Sequence, residues 1–212
     1  MEKFNLGNIS ILIIDDYAPM RKILLSLFRE LGINRLSQAT GGREALKLIK
    51  TIEPDVIILD AIMEPMDGLE FTRKVRSGEA GIDPFVPIIM VSGQTELRHI
   101  MKARDAGVTE FLAKPISARA MYSRICSVIS NPRPFIRTAT FFGPDRRRRA
   151  LPYDGADRRG KLHVYAKEEP QEGIGIAADT RKAPVVPLKQ PGDGKQWKAP
   201  AKPAGKTKKS AS

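Results

Sequence analysis

Five short strand-like runs recur along the first 130 positions, three of them apolar and mostly β-branched and the second weaker, each followed by a stretch with helical spacing. The runs lie at 9–14, 36–39, 56–59, 88–91 and 109–112. The first, third and fourth are apolar almost throughout rather than alternating, which is the pattern of strands covered on both faces. Apolar residues after the first run, Ile23, Leu24, Leu27, Phe28 and Leu31, recur every three or four positions, with Pro19 suited to a first turn and Gly32 to a stop. Comparable helices are expected from Gly41-Gly42, from Asp67-Gly68, over 95–106 with Gly107 as the stop, and over 117–129. Strands alternating with helices of this length predict an α/β domain, a doubly wound five-stranded parallel sheet covered on both sides.

In such a sheet the ligand site lies beyond the carboxyl ends of the strands, so the residues that terminate the runs matter most. Four ends supply Asp15-Asp16, Asp60, Ser92-Gly93 and Lys114-Pro115. Three carboxylates brought together repel one another, and a hard divalent cation such as Mg²⁺, which takes oxygen ligands, relieves that repulsion. A carboxylate is also a nucleophile toward phosphorus. Phosphoryl transfer to it needs positive charge and donors around the moving oxygens, which Lys114 and Ser92 can provide. Taken singly, each feature has a plain structural reading: capping carboxylates, a solvated lysine, a turn. Their joint occurrence, in order on successive strand ends, points to one site.

The set Asp15-Asp16, Leu59-Asp60, Met66-Asp67-Gly68, Ser92-Gly93 and Phe111-Leu112-Ala113-Lys114-Pro115 resembles the receiver domain of bacterial two-component response regulators over residues 8–130. The resemblance implies a flavodoxin-like fold and a signalling role rather than an enzyme, with at most a weak autophosphatase activity. It implies that Asp60 accepts a phosphoryl group from a sensor histidine kinase or a histidine phosphotransfer protein. Asp16, Asp60 and the backbone carbonyl of Ile62 would ligate Mg²⁺, with Asp15 acting largely through water. Ser92 and Lys114 would hold the phosphoryl oxygens, and Phe111 would turn behind Ser92 to alter the surface that an output protein reads. One position departs from the family pattern: where proline commonly stands four residues after the acceptor, this chain has Glu64, followed by Pro65. That adds a negative charge at the mouth of the site.

Charge separates the rest of the chain from this body. Residues 1–130 carry 17 Lys+Arg against 16 Asp+Glu, whereas 131–212 carry 19 against 8, so 11 of the net +12 charges belong to the tail. Ten of the 16 prolines are there too. Within 131–160, Gly143-Pro144-Asp145-Arg146-Arg147-Arg148-Arg149 and Gly155-Ala156-Asp157-Arg158-Arg159 repeat Gly-x-Asp-Arg-Arg 12 residues apart. Either this is a solvated basic linker, or its arginine forks dock on carboxylates or phosphates. Phe135, Ile136, Phe141 and Phe142 precede it in what reads as one short extended segment, and the makeup is that of an anchor beside a charged clamp. Residues 161–212 show little apolar periodicity and read as a disordered Pro/Lys-rich tail. A non-specific contact with nucleic acid gives the alternative function, a nucleic-acid-associated regulator using the tail as its output. The longest apolar runs fall far short of the roughly 20 residues that span a bilayer. Met1-Glu2-Lys3-Phe4-Asn5 leads into no signal core, and one cysteine excludes an intrachain disulfide, so a cytoplasmic protein is expected.

Overall fold

The structure is a computed structural model that describes residues 6–78, 81, 83–138 and 140–146, together with the backbone of 163–167 and 185–188. Five strands, β1 (Ser10–Ile14), β2 (Arg35–Ala39), β3 (Val56–Asp60), β4 (Ile88–Ser92) and β5 (Glu110–Ala113), form a parallel sheet in the order β2-β1-β3-β4-β5. They alternate with α1 (Ala18–Glu30), α2 (Gly42–Ile52), α3 (Gly68–Ser77), α4 (Leu97–Ala106) and α5 (Ala118–Ser130). β1, β3 and β4 are buried along their whole length, as their unbroken apolar runs require, while the edge strand β2 is exposed at Arg35 and Gln38.

Successive residues of the central strands serve opposite faces. Leu12, Ile57, Leu59, Ile88 and Met90 join Ala45 and Ile49 of α2, Phe71 and Val75 of α3 and Ala103 of α4 in one core. Ile11, Ile13, Ile58, Ile89 and Val91 join Leu24, Leu27 and Phe28 of α1 and Met121 and Ile125 of α5 in the other. This division is what double winding means physically: one sheet with two apolar layers, each closed by its own helices.

Helix starts shift slightly from the sequence reading. α4 begins at Leu97 rather than near Thr95, because Glu96 is the last residue with extended geometry. Asp67 and Ser117 act as true caps, accepting from the backbone N–H groups of Glu70 and Ala120.

After α5 the chain departs from the sequence reading. The 135–142 region is not one extended segment but a hairpin, β6 (Phe135–Arg137) paired antiparallel with β7 (Phe142–Pro144). Its turn is set by Thr138, whose hydroxyl oxygen accepts from the N–H of Phe141 and whose N–H donates to the carbonyl of Phe141. Two further strands, β8 (His163–Lys167) and β9 (Val185–Leu188), extend it into a four-stranded sheet in the order β7-β6-β8-β9. Within the tail, read from composition as largely disordered, these are the two segments that the structure describes, both as strands. Both are short runs, His163-Val164-Tyr165 and Val185-Val186, in a Pro/Lys-rich background that hides them from a composition average. Pro187 is tolerated because β9 is an edge strand. The other residues of 161–212 lie outside those described.

Candidate functional site

β1 and β3 are adjacent and parallel, so their carboxyl ends bring Asp15 and Asp16 beside Asp60. One oxygen from each of the three carboxylates lies within 4.8 Å of the others. Asp15 is buried, Asp60 is 8% exposed and Asp16 faces solvent. From the far side, β5 delivers Lys114, whose Nζ donates to Asp60 Oδ1 at 2.9 Å and lies 3.6 Å from Asp15 Oδ2. Burial pushes the Asp60 carboxyl above its ordinary range, although the Lys114 hydrogen bond and charge pull the other way. Burial works against the Lys114 charge, but the bond to Asp60 and the charges of Asp60 and Asp15 outweigh it and raise its pKa. The cluster thus holds three carboxylates against one ammonium.

The backbone around the site is fixed by short loops. Asp15 accepts at Oδ1 from the N–H of Tyr17, and its carbonyl accepts from Arg21 Nη1 at 2.8 Å. Arg21 Nε also donates to Gln38, tying α1 to β2 across the acidic corner. The carbonyl of Ala61 accepts from Gly68, and a Cβ on Gly68 would lie 2.4 Å from the Asp60 carbonyl. This is the physical reason for glycine in Met66-Asp67-Gly68: the start of α3 must pass directly against the loop that follows Asp60. Ser92 is buried at the end of β4, its Oγ accepting from Gln94 N–H. The N–H of Lys114 donates to the Ser92 carbonyl at 2.8 Å. Phe111 is partly buried against the core under α2, α3 and α4, while Ile62 is 54% exposed beside the site. Glu64 is exposed on the same loop, as its position in the sequence implies.

The structure therefore brings together Asp15, Asp16, Asp60 and Lys114, with Ser92 on the neighbouring strand end. Arg146, singled out for docking, instead pairs with Asp105 at 3.2 Å and stacks over Phe141. Arg147, Arg148, Arg149, Arg158 and Arg159 lie outside the described residues. The sequence reading missed Arg21 and Arg76. Arg21 sits one turn into α1, where its role depends on a contact to the preceding loop that spacing does not reveal. Arg76 is fully buried, and its pattern on α3 is that of an ordinary surface residue.

A doubly wound sheet with an acidic cluster and a lysine at its carboxyl edge defines a class of receiver-like signalling domains. Residues 11–126 match the response regulator receiver domain family, and the chain belongs to that family, the receiver domain of two-component systems. Chemotaxis protein CheY-3 of Vibrio cholerae is 30% identical over 125 residues, covering 59% of this chain and 95% of that one. Chemotaxis protein CheY of Pseudomonas aeruginosa is 32% identical over 115 residues, covering 54% and 91%. Among solved structures, Vibrio cholerae chemotaxis protein CheY4 superposes with a TM-score of 0.53 at 28% identity, covering 57% of this chain and 98% of that one. The CheX-CheY-BeF3-Mg complex of Borrelia burgdorferi gives 0.51 at 25%, covering 57% and 88%. Among the described residues no helix is long and apolar enough to cross a membrane.

Proposed function

We propose that the chain is a cytoplasmic phosphoacceptor switch in which Asp60 takes a phosphoryl group from the phosphohistidine of a sensor histidine kinase or a histidine phosphotransfer protein. The observation that carries this reading is the 2.9 Å Lys114–Asp60 contact inside a cluster of three carboxylates. An Asp60 oxygen attacks phosphorus, the P–O bond forms as the P–N bond breaks, and the imidazole leaves and takes up a proton. Lys114, already held at Asp60, supplies positive charge to the phosphoryl oxygens, and the buried Ser92 hydroxyl supplies a donor at the adjacent strand end.

The donor set fits Mg²⁺. Three carboxylate oxygens in reach of one another, two of them buried and matched by one lysine, are hard ligands with excess negative charge. Asp16, Asp60 and the Ile62 carbonyl would hold the ion, Asp15 acting mainly through water, and the ion would supply charge neutralisation for the incoming phosphoryl group. The Borrelia burgdorferi relative is a CheX-CheY complex with BeF3 and Mg²⁺, which supports the same pairing here.

Phosphorylation would draw Ser92 toward the new group and let Phe111 turn inward, shifting the balance between two arrangements of α4 and β5 that an output protein distinguishes. Incubation with acetyl phosphate and Mg²⁺ should add one base-labile phosphoryl group, lost in Asp60→Asn and absent with a chelator. Undiminished labelling of that variant would reject the assignment. The net +11 of residues 131–212 favours a second reading, non-specific contact of the tail with nucleic acid. Affinity falling steeply with salt would support it, and no binding at low salt would dismiss it.

A further inference from the structure

The end of the sheet opposite Asp60 is covered by the chain's own hairpin. Phe135 and Phe142, from β6 and β7, pack edge-on against Phe85 with centroids 5.0 and 5.2 Å away. Beneath them lies Arg76, at the end of α3 and fully buried. Its Nε donates to the Gly107 carbonyl at 2.9 Å, and its Nη1 to the Pro84 and Val86 carbonyls at 2.6 and 2.8 Å. The Phe135 ring closes over this guanidinium, centroid 5.0 Å from Cζ. At the turn after α4, Gly107 and Gly143 meet backbone to backbone. A Cβ on Gly143 would lie 2.9 Å from the Gly107 Cα, and one on Gly107 would lie 3.1 Å from the Phe142 carbonyl oxygen. Arg146 pairs with Asp105 in the last turn of α4. Arg133 donates to the Thr109 carbonyl and to Glu110, which Arg124 also binds.

These contacts fall on α3, on α4, on Glu110 of β5, or on the loops that lead into β4 and β5, the strands that end at Ser92 and next to Lys114. β4 (Ile88–Ser92) starts just after the Pro84–Val86 corner and ends on Ser92, and β5 (Glu110–Ala113) joins Thr109 to Lys114. Glu110, pinned by Arg133, is the residue immediately before Phe111. The structure assigns the first Gly-x-Asp-Arg copy to this grip, since Gly143 makes the close approach and Arg146 the ion pair.

We propose that the β6–β7 hairpin is a brake on the switch: it holds β5 and α4 in the resting arrangement, with Lys114 on Asp60, and its release favours occupancy of the phosphoryl site. The inference rests on the acceptor reading above and adds its regulation. By linkage, a contact that stabilises one of two arrangements and not the other must weaken when the other is populated.

The test uses the full chain with beryllofluoride and Mg²⁺ as the phosphoryl stand-in, read by amide resonances around Ser92. Gly143→Leu, which forces β7 off Gly107, and the milder Arg133→Gln should each reach half-occupancy at a beryllofluoride concentration at least three-fold below that of the unsubstituted chain. Reciprocally, saturating beryllofluoride should speed hydrogen exchange of the β6 amides at least three-fold in the unsubstituted chain, a readout that needs no variant to fold. Normal beryllofluoride binding by the unsubstituted chain with unchanged variant midpoints, or unchanged β6 exchange, would overturn the brake alone. No binding by the unsubstituted chain at millimolar concentrations would overturn the acceptor reading and the brake with it.

Discussion

Without metal, Asp60→Asn should make the protein more stable, although it removes a charge that Lys114 contacts at 2.9 Å. At an effective dielectric of about 20 that attraction is roughly 6 kcal/mol. Against it stands repulsion from Asp15, whose oxygen lies within 4.8 Å and is buried, at roughly 3–4 kcal/mol on the same scale. Asp16 adds about 1 kcal/mol more after solvent screening, since it is exposed. The Coulomb terms therefore nearly cancel, and desolvation of the Asp60 carboxylate, a penalty of several kcal/mol for a buried ion, decides the sign. An amide keeps an acceptor for Lys114 and leaves that ammonium to Asp15 at 3.6 Å. The net expectation is a gain of about 1–2 kcal/mol at pH 7, a rise of roughly 2–8 °C in Tm for a domain of this size.

The pH dependence follows from the direction of the shift. Asp60 has a folded pKa raised above its unfolded value, so its contribution is favourable at low pH and is lost as pH rises through the folded pKa. The advantage of Asp60→Asn should thus vanish below about pH 4 and grow toward neutrality. Urea unfolding followed by far-UV circular dichroism in EDTA, at pH 4 and pH 7, measures both. With Mg²⁺ at ten times its dissociation constant the unsubstituted chain should gain about 1.4 kcal/mol, and the variant little. An Asp60→Asn protein less stable than its parent at pH 7 without metal would refute the balance, showing that the lysine contact outweighs burial.

Other substitutions test the supports of the site. Arg21→Ala, which frees the Asp15 carbonyl, should weaken Mg²⁺ binding by about 3–10-fold in calorimetric titration, with Arg21→Lys recovering part of the loss. Gly68→Ala forces a Cβ to within 2.4 Å of the Asp60 carbonyl and should cost about 1–3 kcal/mol in urea unfolding, or more if the loop cannot shift. Lys114→Gln leaves two buried carboxylates without a cation and should cost about 3–5 kcal/mol at pH 7, a loss that thermal scans should show recovering as the pH is lowered toward 4.

Most of the parallel sheet was legible because its determinants are local. Unbroken apolar runs make β1, β3 and β4, and double winding then places Asp15, Asp16, Asp60, Ser92 and Lys114 at one edge with no further information. What the sequence concealed depends on long-range contacts. Arg76 looks like a surface residue of α3 until Phe135, 59 positions later, closes over it. Gly143 looks like a turn glycine until Gly107 meets its backbone. The Phe and Arg residues of 135–146 have the makeup of a partner-binding anchor, and composition cannot tell an intermolecular anchor from an intramolecular one. Here Phe135 and Ile136 are buried on the chain itself.

That burial moves the end of the folding unit. The family match stops at residue 126, and α5 ends at Ser130, so a cut after Ser130 keeps every residue of the match. It would instead strip Phe135 and Phe142 from Phe85 and uncover the Arg76 guanidinium. Burial pulls the Arg76 pKa down to about 9 with Asp83 opposing, so the group is charged at neutral pH and profits from water once exposed. The loss is then mainly apolar: the buried Phe135 at about 1.5–3 kcal/mol and the half-buried Phe142 at roughly half that. Loss of the Arg133–Glu110 pair adds roughly 1 kcal/mol, because Arg124 remains beside Glu110. Truncation after Ser130 should therefore destabilise the parallel-sheet domain by about 3–6 kcal/mol, a large share of the 5–15 kcal/mol typical of a whole domain. A cut after Arg146 keeps the hairpin and should lose much less. Urea midpoints for the two truncations decide the matter, and equal stability would show that the hairpin rests on the sheet without supporting it.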